Sequence, residues 1–160
     1  MTNPMLTATE AMPSAAAWEM EVRRPGPALG GIVSDLAGYR ELAPEPVRRR
    51  ELPEPHIVLI FNLGSPLHLA QPNGTSEMIV PAGAGFIAGL HETYTLTETT
   101  GQQEGLEVRL SPTGAYRLFG VPMHELANRT HLLSVVAPPW RQDLVDRLLD
   151  APDWGARFRL

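Results

Sequence analysis

The chain has 160 residues, 43% of them hydrophobic, and its 18 acids outnumber its 13 bases for a formal charge of −5. That length fits one domain, able to bury roughly two-thirds of its unfolded surface, and the low net charge with frequent Leu, Ile and Val excludes a wholly disordered chain. The longest strongly apolar run, Ile57 to Phe61, is far short of the ~20 residues that a membrane-spanning helix needs, and the absence of cysteine excludes a disulfide scaffold.

No lysine occurs, so all 13 bases are arginine. Schiff-base, Walker-type and Ser-x-x-Lys chemistry are therefore excluded. The 14 glycines and 16 prolines exceed average usage and suit a loop-rich β domain. An acidic chain is poorly suited to gripping a nucleic acid backbone by itself. Residues 1–15 are rich in Ala, Thr and Pro without a clear period, and read as an unstructured segment. They lack the positive start and apolar stretch of a secretory signal. The expectation is a cytoplasmic protein without a membrane partner.

The front of the chain reads as β. Trp18, Met20 and Val22 alternate with Glu19, Glu21 and Arg23, the period of a half-buried strand. Ile32 and Val33 seed a short element that ends near Tyr39, and Val47 to Leu52 is a polar, Arg-rich edge strand. His56 to Leu63 is the clearest strand, bounded by Pro55 and Gly64. Its continuous apolar run implies cover on both faces. Leu67 to Leu69 and Met78 to Val80 flank Pro72-Asn73-Gly74, a hairpin turn. Phe86 to Leu90, Tyr94 to Thr99 and Leu106 to Leu110 complete about eight short strands, the rhythm of a barrel or sandwich.

The pattern changes at Ser111-Pro112, where serine caps a helix and proline suits its first position. Gly120 stops that helix, Pro122 opens a second, and Leu132 to Val136 reads as extended. In Trp140 to Leu149 the residues Leu144, Val145, Leu148 and Leu149 form one apolar face. Pro152 begins a last helix carrying Trp154 and Phe158. The expected division is an unstructured 1–15, a β-rich barrel-like unit over 16–111, and a helical subregion over 112–160.

The sequence carries no strong catalytic signal. His56, His68, His91, His124 and His131 are scattered, with no His-x-His pair, and no metal site is expected. No Gly-x-Ser-x-Gly elbow occurs. Glu19 and Glu21 share a strand face and read as a solvated outer surface. Gly83 to Gly89 spells G-x-G-x-x-x-G without a βαβ context, so turn glycines are the better account. Arg48-Arg49-Arg50 sits among glutamates and reads as a mixed-charge surface. The aromatics Trp18, Phe61, Phe86 and Tyr94 fill a core or line a ligand cavity.

The stretch Leu110 to Asn128, LSPTGAYRLFGVPMHELAN, closely resembles the N-terminal regulatory domains of an actinobacterial branch of AraC-type transcriptional regulators. Leu52-Pro53 with the strand Ile57 to Asn62, Phe86 to Leu90, and Asp150 to Trp154 with Arg157-Phe158 resemble further markers of that branch. The resemblance spans roughly 18–160. It implies a mainly β fold with C-terminal helices, a small cupin-like barrel or sandwich, that senses an effector or mediates dimer contacts. It implies no enzyme activity and no cofactor. DNA would be reached only through a C-terminal helix-turn-helix domain that this chain lacks. An unidentified small-molecule effector and a second copy of the chain are the expected partners. Candidate effector residues are Trp18, Phe61, Phe86, His91 and Tyr94; candidate dimer or domain-docking residues are Leu144, Val145 and Leu148. The same Leu144 stripe would equally serve to pack on the barrel. A small cupin-like enzyme, an isomerase or metal-dependent dioxygenase, is the alternative, and a pure dimerisation module a third reading.

Overall fold

A computed structural model describes residues 16–74, 76–136 and 140–160, excluding the side chains of 140–142. The segment 1–15 lies outside the described residues. Ten strands and five helices are present among those described. The first strands are β1 (Ala17–Arg23), β2 (Val33–Leu42), β3 (Val47–Glu51), β4 (Ile57–Asn62) and β5 (Leu67–Ala70). The others are β6 (Glu77–Val80), β7 (Ala84–Ala88), β8 (Thr95–Thr99), β9 (Gln102–Leu110) and β10 (Thr130–Leu132). The helices are α1 (Pro112–Phe119), α2 (Met123–Leu126), α3 (Leu133–Val136), α4 (Trp140–Asp150) and α5 (Trp154–Arg157).

Two antiparallel sheets form. The larger runs β1-β2-β9-β4-β7-β10, the smaller β3-β8-β5-β6. The expected mainly β architecture with C-terminal helices is therefore the observed one. The element begun at Ile32 becomes the long strand β2. The stretch read as extended from Leu132 splits instead: Thr130–Leu132 pairs with β7, and Leu133–Val136 turns into helix. Three residues of pairing are enough to make β10 the far edge of the large sheet.

The large sheet is covered on both faces, which explains the continuous apolar run of β4. Ile57, Leu59 and Phe61 point one way, into a core with Val33, Leu106, Val108 and Leu110 and with Leu126, Val145 and Leu148 from the helices. Val58 and Ile60 point the other way, toward the small sheet. There a lesser cluster gathers Leu67, Leu69, Val80 and Phe86. Asn62, almost wholly buried, helps join the sheets, its amide donating to the carbonyls of Ser65, Val80 and Pro81 at 2.9–3.2 Å.

The helix boundaries follow local chemistry. Ser111 Oγ accepts from the Gly114 N–H at 3.0 Å, Pro112 opens α1, and Gly120 closes it in the left-handed region at φ 68. Asp153 caps α5 through the Ala156 N–H at 2.7 Å. Trp154 then lies flat against β2 at Gly38, where any Cβ would overlap its indole. Arg157 anchors the same turn, its guanidinium paired with Glu104 and its Nε donating to the Leu148 carbonyl at 3.1 Å. Burial raises the Glu104 carboxyl, but hydrogen bonds from Arg40 and Arg157 outweigh it and hold the group below its usual range.

Most of the apolar face of α4 packs inside this domain, with Leu149 left 43% exposed. Val145 is 3% exposed and Leu148 1%, and Leu144 packs beside them. Leu144, Val145 and Leu148 thus pack on the large sheet of their own domain. Leu148→Ala should therefore cost about 2–5 kcal/mol of stability, read as a lower urea midpoint. An unchanged midpoint would mean that α4 does not close this core.

Candidate ligand-binding site between the sheets

Directly opposed residues on neighbouring strands share a sheet face. Val22, Ala37, Glu107, Ile60, Phe86 and Leu132 are aligned in register across all six strands of the large sheet. A second row runs through Met20, Tyr39, Gly105 and Asn62, and a third through Asp35, Arg109, Val58, Ala88 and Thr130. These rows face the small sheet, whose Arg49, Glu51, Leu67, Leu69, Thr95 and Thr97 face back. The space left between them is a cavity of about 400 Å³.

Its floor is apolar, made by Val58, Ile60, Leu67, Leu69, Phe86 and Ala88. Its walls carry two arginine-centred groups. Arg109 Nε donates to Glu107 at 2.6 Å and lies 3.5 Å from Glu54, while an Arg109 Nη is 3.7 Å from Asp35. Burial pushes the Glu107 carboxyl above its usual range, and the Arg109 hydrogen bond only partly offsets it. Across the cavity Arg49 reaches from the small sheet to Glu41 of β2, with one N–H donating at 2.8 Å, and its guanidinium lies 5.7 Å from the Trp18 ring centre. Trp18 in turn stacks on Tyr39 with centroids 6.0 Å apart. Tyr39 is raised well above the ordinary phenol range, first by burial and then by the negative charge of Glu107, so it remains a neutral phenol. Gly105 makes room for it, since a Cβ there would strike the Tyr39 hydroxyl.

Of the residues expected to line an effector pocket, Trp18, Phe86 and His91 line this cavity. Phe61 does not: on β4 it is an odd step from Val58 and Ile60 and so points into the helix-covered core. Tyr94 is outside the lining too, and its ring lies 5.1 Å under Arg50. The alternation of β1 is also inverted from a half-buried strand. Trp18 is 54% exposed, Met20 52% and Val22 58%, because β1 is an edge strand at the cavity mouth. Glu19 instead takes the other face, 3.9 Å from Arg40. Arg48 and Arg50 face outward as a mixed-charge surface, but Arg49 turns in.

Sequence patterning singles out none of Tyr39, Glu107 and Arg109, and reads Arg49 only as part of a mixed-charge surface. Glu107 and Arg109 alternate with Leu106, Val108 and Leu110, and such alternation says only that two faces differ. Here the charged face is the cavity wall. The glycine-rich run is indeed structural: Gly83 turns at φ 71 and Gly85 lies inside β7. Among the described residues no group of three or more His, Asp or Glu is arranged to hold a metal ion, and no helix is long and apolar enough to cross a membrane.

The family model of a domain of unknown function, DUF6597, matches residues 21–132. The chain belongs to the DUF6597 family. The match begins inside β1 and ends with β10, so the DUF6597 unit contains most of both sheets and the cavity lining apart from Trp18 and Met20. No curated protein sequence matches the chain. Among solved structures it is similar to a cupin domain from Bordetella pertussis, with 12% identity, a TM-score of 0.39, and coverage of 61% of this chain and 94% of that one. It is similar also to an oxalate decarboxylase from Bacillus subtilis, with 12% identity, a TM-score of 0.38, and coverage of 64% of this chain. The match covers 33% of the decarboxylase, so this DUF6597 chain corresponds to about a third of it. Likeness at that level says nothing about activity.

His91 lies at the cavity edge of this DUF6597 domain with both ring nitrogens buried and without a hydrogen-bond partner. Burial lowers its pKa from 6.5, opposed by the nearby Arg129 backbone. The folded state thus prefers the neutral ring, and the unfolded chain binds the proton more tightly. Stability is full above about pH 6.5 and falls as pH drops through and below that value. His91→Gln should flatten this part of the profile in urea unfolding between about pH 7.5 and pH 5.5. Glu107 acts with the opposite sign at lower pH, because its raised pKa lets the folded state take up the proton first. An unaltered slope in His91→Gln would assign the loss to other groups.

Proposed function

We propose that this domain is the effector-sensing part of an AraC-type transcriptional regulator, and that the inter-sheet cavity receives the effector. The observation that carries the reading is the cavity itself. At about 400 Å³ it falls within the roughly 300–1,000 Å³ of small-molecule sites, and it lies apart from the main core beneath the helices. The resemblance of Leu110 to Asn128 to regulator domains supports the assignment. Both arginines facing the cavity are held by carboxylates, Arg49 by Glu41 and Arg109 by Glu107. The effector is therefore neutral or cationic, with an apolar face for Phe86 and its neighbours.

Strand β9 supplies the relay. Its Glu107 and Arg109 face the cavity, while Leu106, Val108 and Leu110 hold the helices. An effector that binds one setting of β9 more tightly shifts the helices with it, which is the condition for a switch. In this reading DNA is contacted by a separate helix-turn-helix domain, the working unit is a homodimer, and the protein acts in the cytoplasm without catalysing a reaction.

A thermal-shift screen of neutral and cationic metabolites tests the reading. A ligand at a hundred times its Kd should stabilise the fold by about 2.7 kcal/mol. Ala88→Phe, which fills the cavity floor, should abolish that gain while the variant stays folded. Stabilisation that survives Ala88→Phe would place the ligand elsewhere. Stoichiometric iron, zinc or manganese in the purified protein would favour the small cupin-like enzyme instead.

A further inference from the structure

A second cavity, of about 440 Å³, opens between the helices and the opposite face of the large sheet. Its lining is mostly apolar, with Leu36, Leu59 and Phe61 on the sheet side and Leu118, Leu144 and Leu148 on the helix side. Its lining also includes four arginines, Arg23 and Arg24 after β1 and Arg157 and Arg159 at the end of α5. In a chain of net charge −5 that concentration of one sign is local and specific.

The four arginines are not equivalent. Arg157 is committed to Glu104 and to the Leu148 carbonyl. Arg23 pairs with Glu21, its Nε donating at 2.9 Å, and lies 5.8 Å from the Phe158 ring centre. Arg24 and Arg159 form no ion pair with any described residue. Two guanidiniums without an ion pair among the described residues thus border a cavity whose lining is mostly apolar. A guanidinium fork matches a carboxylate in geometry as well as charge.

From this arrangement we propose that the second cavity is a binding site for an aliphatic carboxylate, its chain lying against Leu59, Phe61 and Leu118 and its head held by Arg24 and Arg159. The site is independent of the effector reading, which concerns the other face of the sheet. It also differs in sign. The inter-sheet cavity has its arginines paired with carboxylates, whereas Arg24 and Arg159 have no ion pair among the described residues. A chain inserted here lies between the sheet and α4, so occupancy would bear directly on how that helix is held.

Isothermal titration of the 160-residue chain with dissolved octanoate, decanoate and decanol tests the proposal. Decanoate should bind saturably. Each added methylene should tighten binding about threefold to fourfold, so octanoate should be roughly tenfold weaker. Arg24→Ala with Arg159→Ala should weaken decanoate at least about tenfold and leave decanol unchanged. Both arginines are on the surface, so the double variant is expected to keep the thermal midpoint of the parent. Leu118→Trp, which fills the cavity, should abolish binding of both ligands. Absence of saturable decanoate binding overturns the proposal. So does equal affinity for decanoate and decanol, or a double variant that binds decanoate as well as the parent does. Binding lost in Ala88→Phe but retained in Leu118→Trp would move the ligand to the inter-sheet cavity and overturn this site. Co-sedimentation with phosphatidylglycerol vesicles without binding of dissolved decanoate would make the arginines a membrane contact, and would also overturn it.

Discussion

The large sheet has no solvated face across its middle strands, and most of the structure follows from that constraint. One face is closed by the helices, with Leu59, Phe61, Val108 and Leu110 beneath Leu126, Val145 and Leu148. This face holds the larger apolar cluster and supplies most of the burial that stabilises the fold. The other face is closed only in part by the small sheet. Because stability does not depend on filling that second space, it can remain a cavity and carry charged groups. The half-exposed arginines there each have a carboxylate within reach, Arg109 with Glu107 and Arg49 with Glu41.

Two glycines let the layers approach closely enough for this division. Gly38 admits the Trp154 indole against β2, and Gly105 admits the Tyr39 hydroxyl above β9. They act on opposite faces of the same sheet. The first docks the final helix to the strand nearest the edge. The second places a phenol near Glu107, whose negative charge adds to burial in raising the Tyr39 pKa. Substituting either glycine would move a layer, not merely add a methyl group.

Much of the fold was legible in the sequence because it is encoded locally. Ser111-Pro112 and Gly120 mark α1 at both ends, Asn73-Gly74 marks the turn between β5 and β6, and the unbroken Ile57 to Phe61 run announces a strand covered twice. What was not legible is which face is which. Period-2 alternation in β1 and β9 distinguishes two sides, but tertiary placement decides whether a side meets a core, a cavity or water. So Phe61, expected in a pocket between strands, belongs to the helix-covered face, and Met20, expected to be half-buried, stands at an open mouth. Arg49 reads as one of three surface bases and is the one that spans the sheets. The three-residue β10 was invisible because its pairing with β7 joins positions far apart in the chain.

The arrangement of charge ties the two cavities together. A strand that separates two binding spaces can couple them only if occupancy of one changes its position as seen from the other. β4 and β9 meet that condition. Val58, Ile60, Glu107 and Arg109 border the inter-sheet space, and Leu59, Phe61, Leu106 and Val108 border the space beneath the helices. Interleaved side chains on the same two strands leave little slack, because a packed sheet moves as a unit and not residue by residue. In the proposed reading a ligand between the sheets and one beneath α4 would both contact β9, and any effect of one on the affinity of the other would be reciprocal.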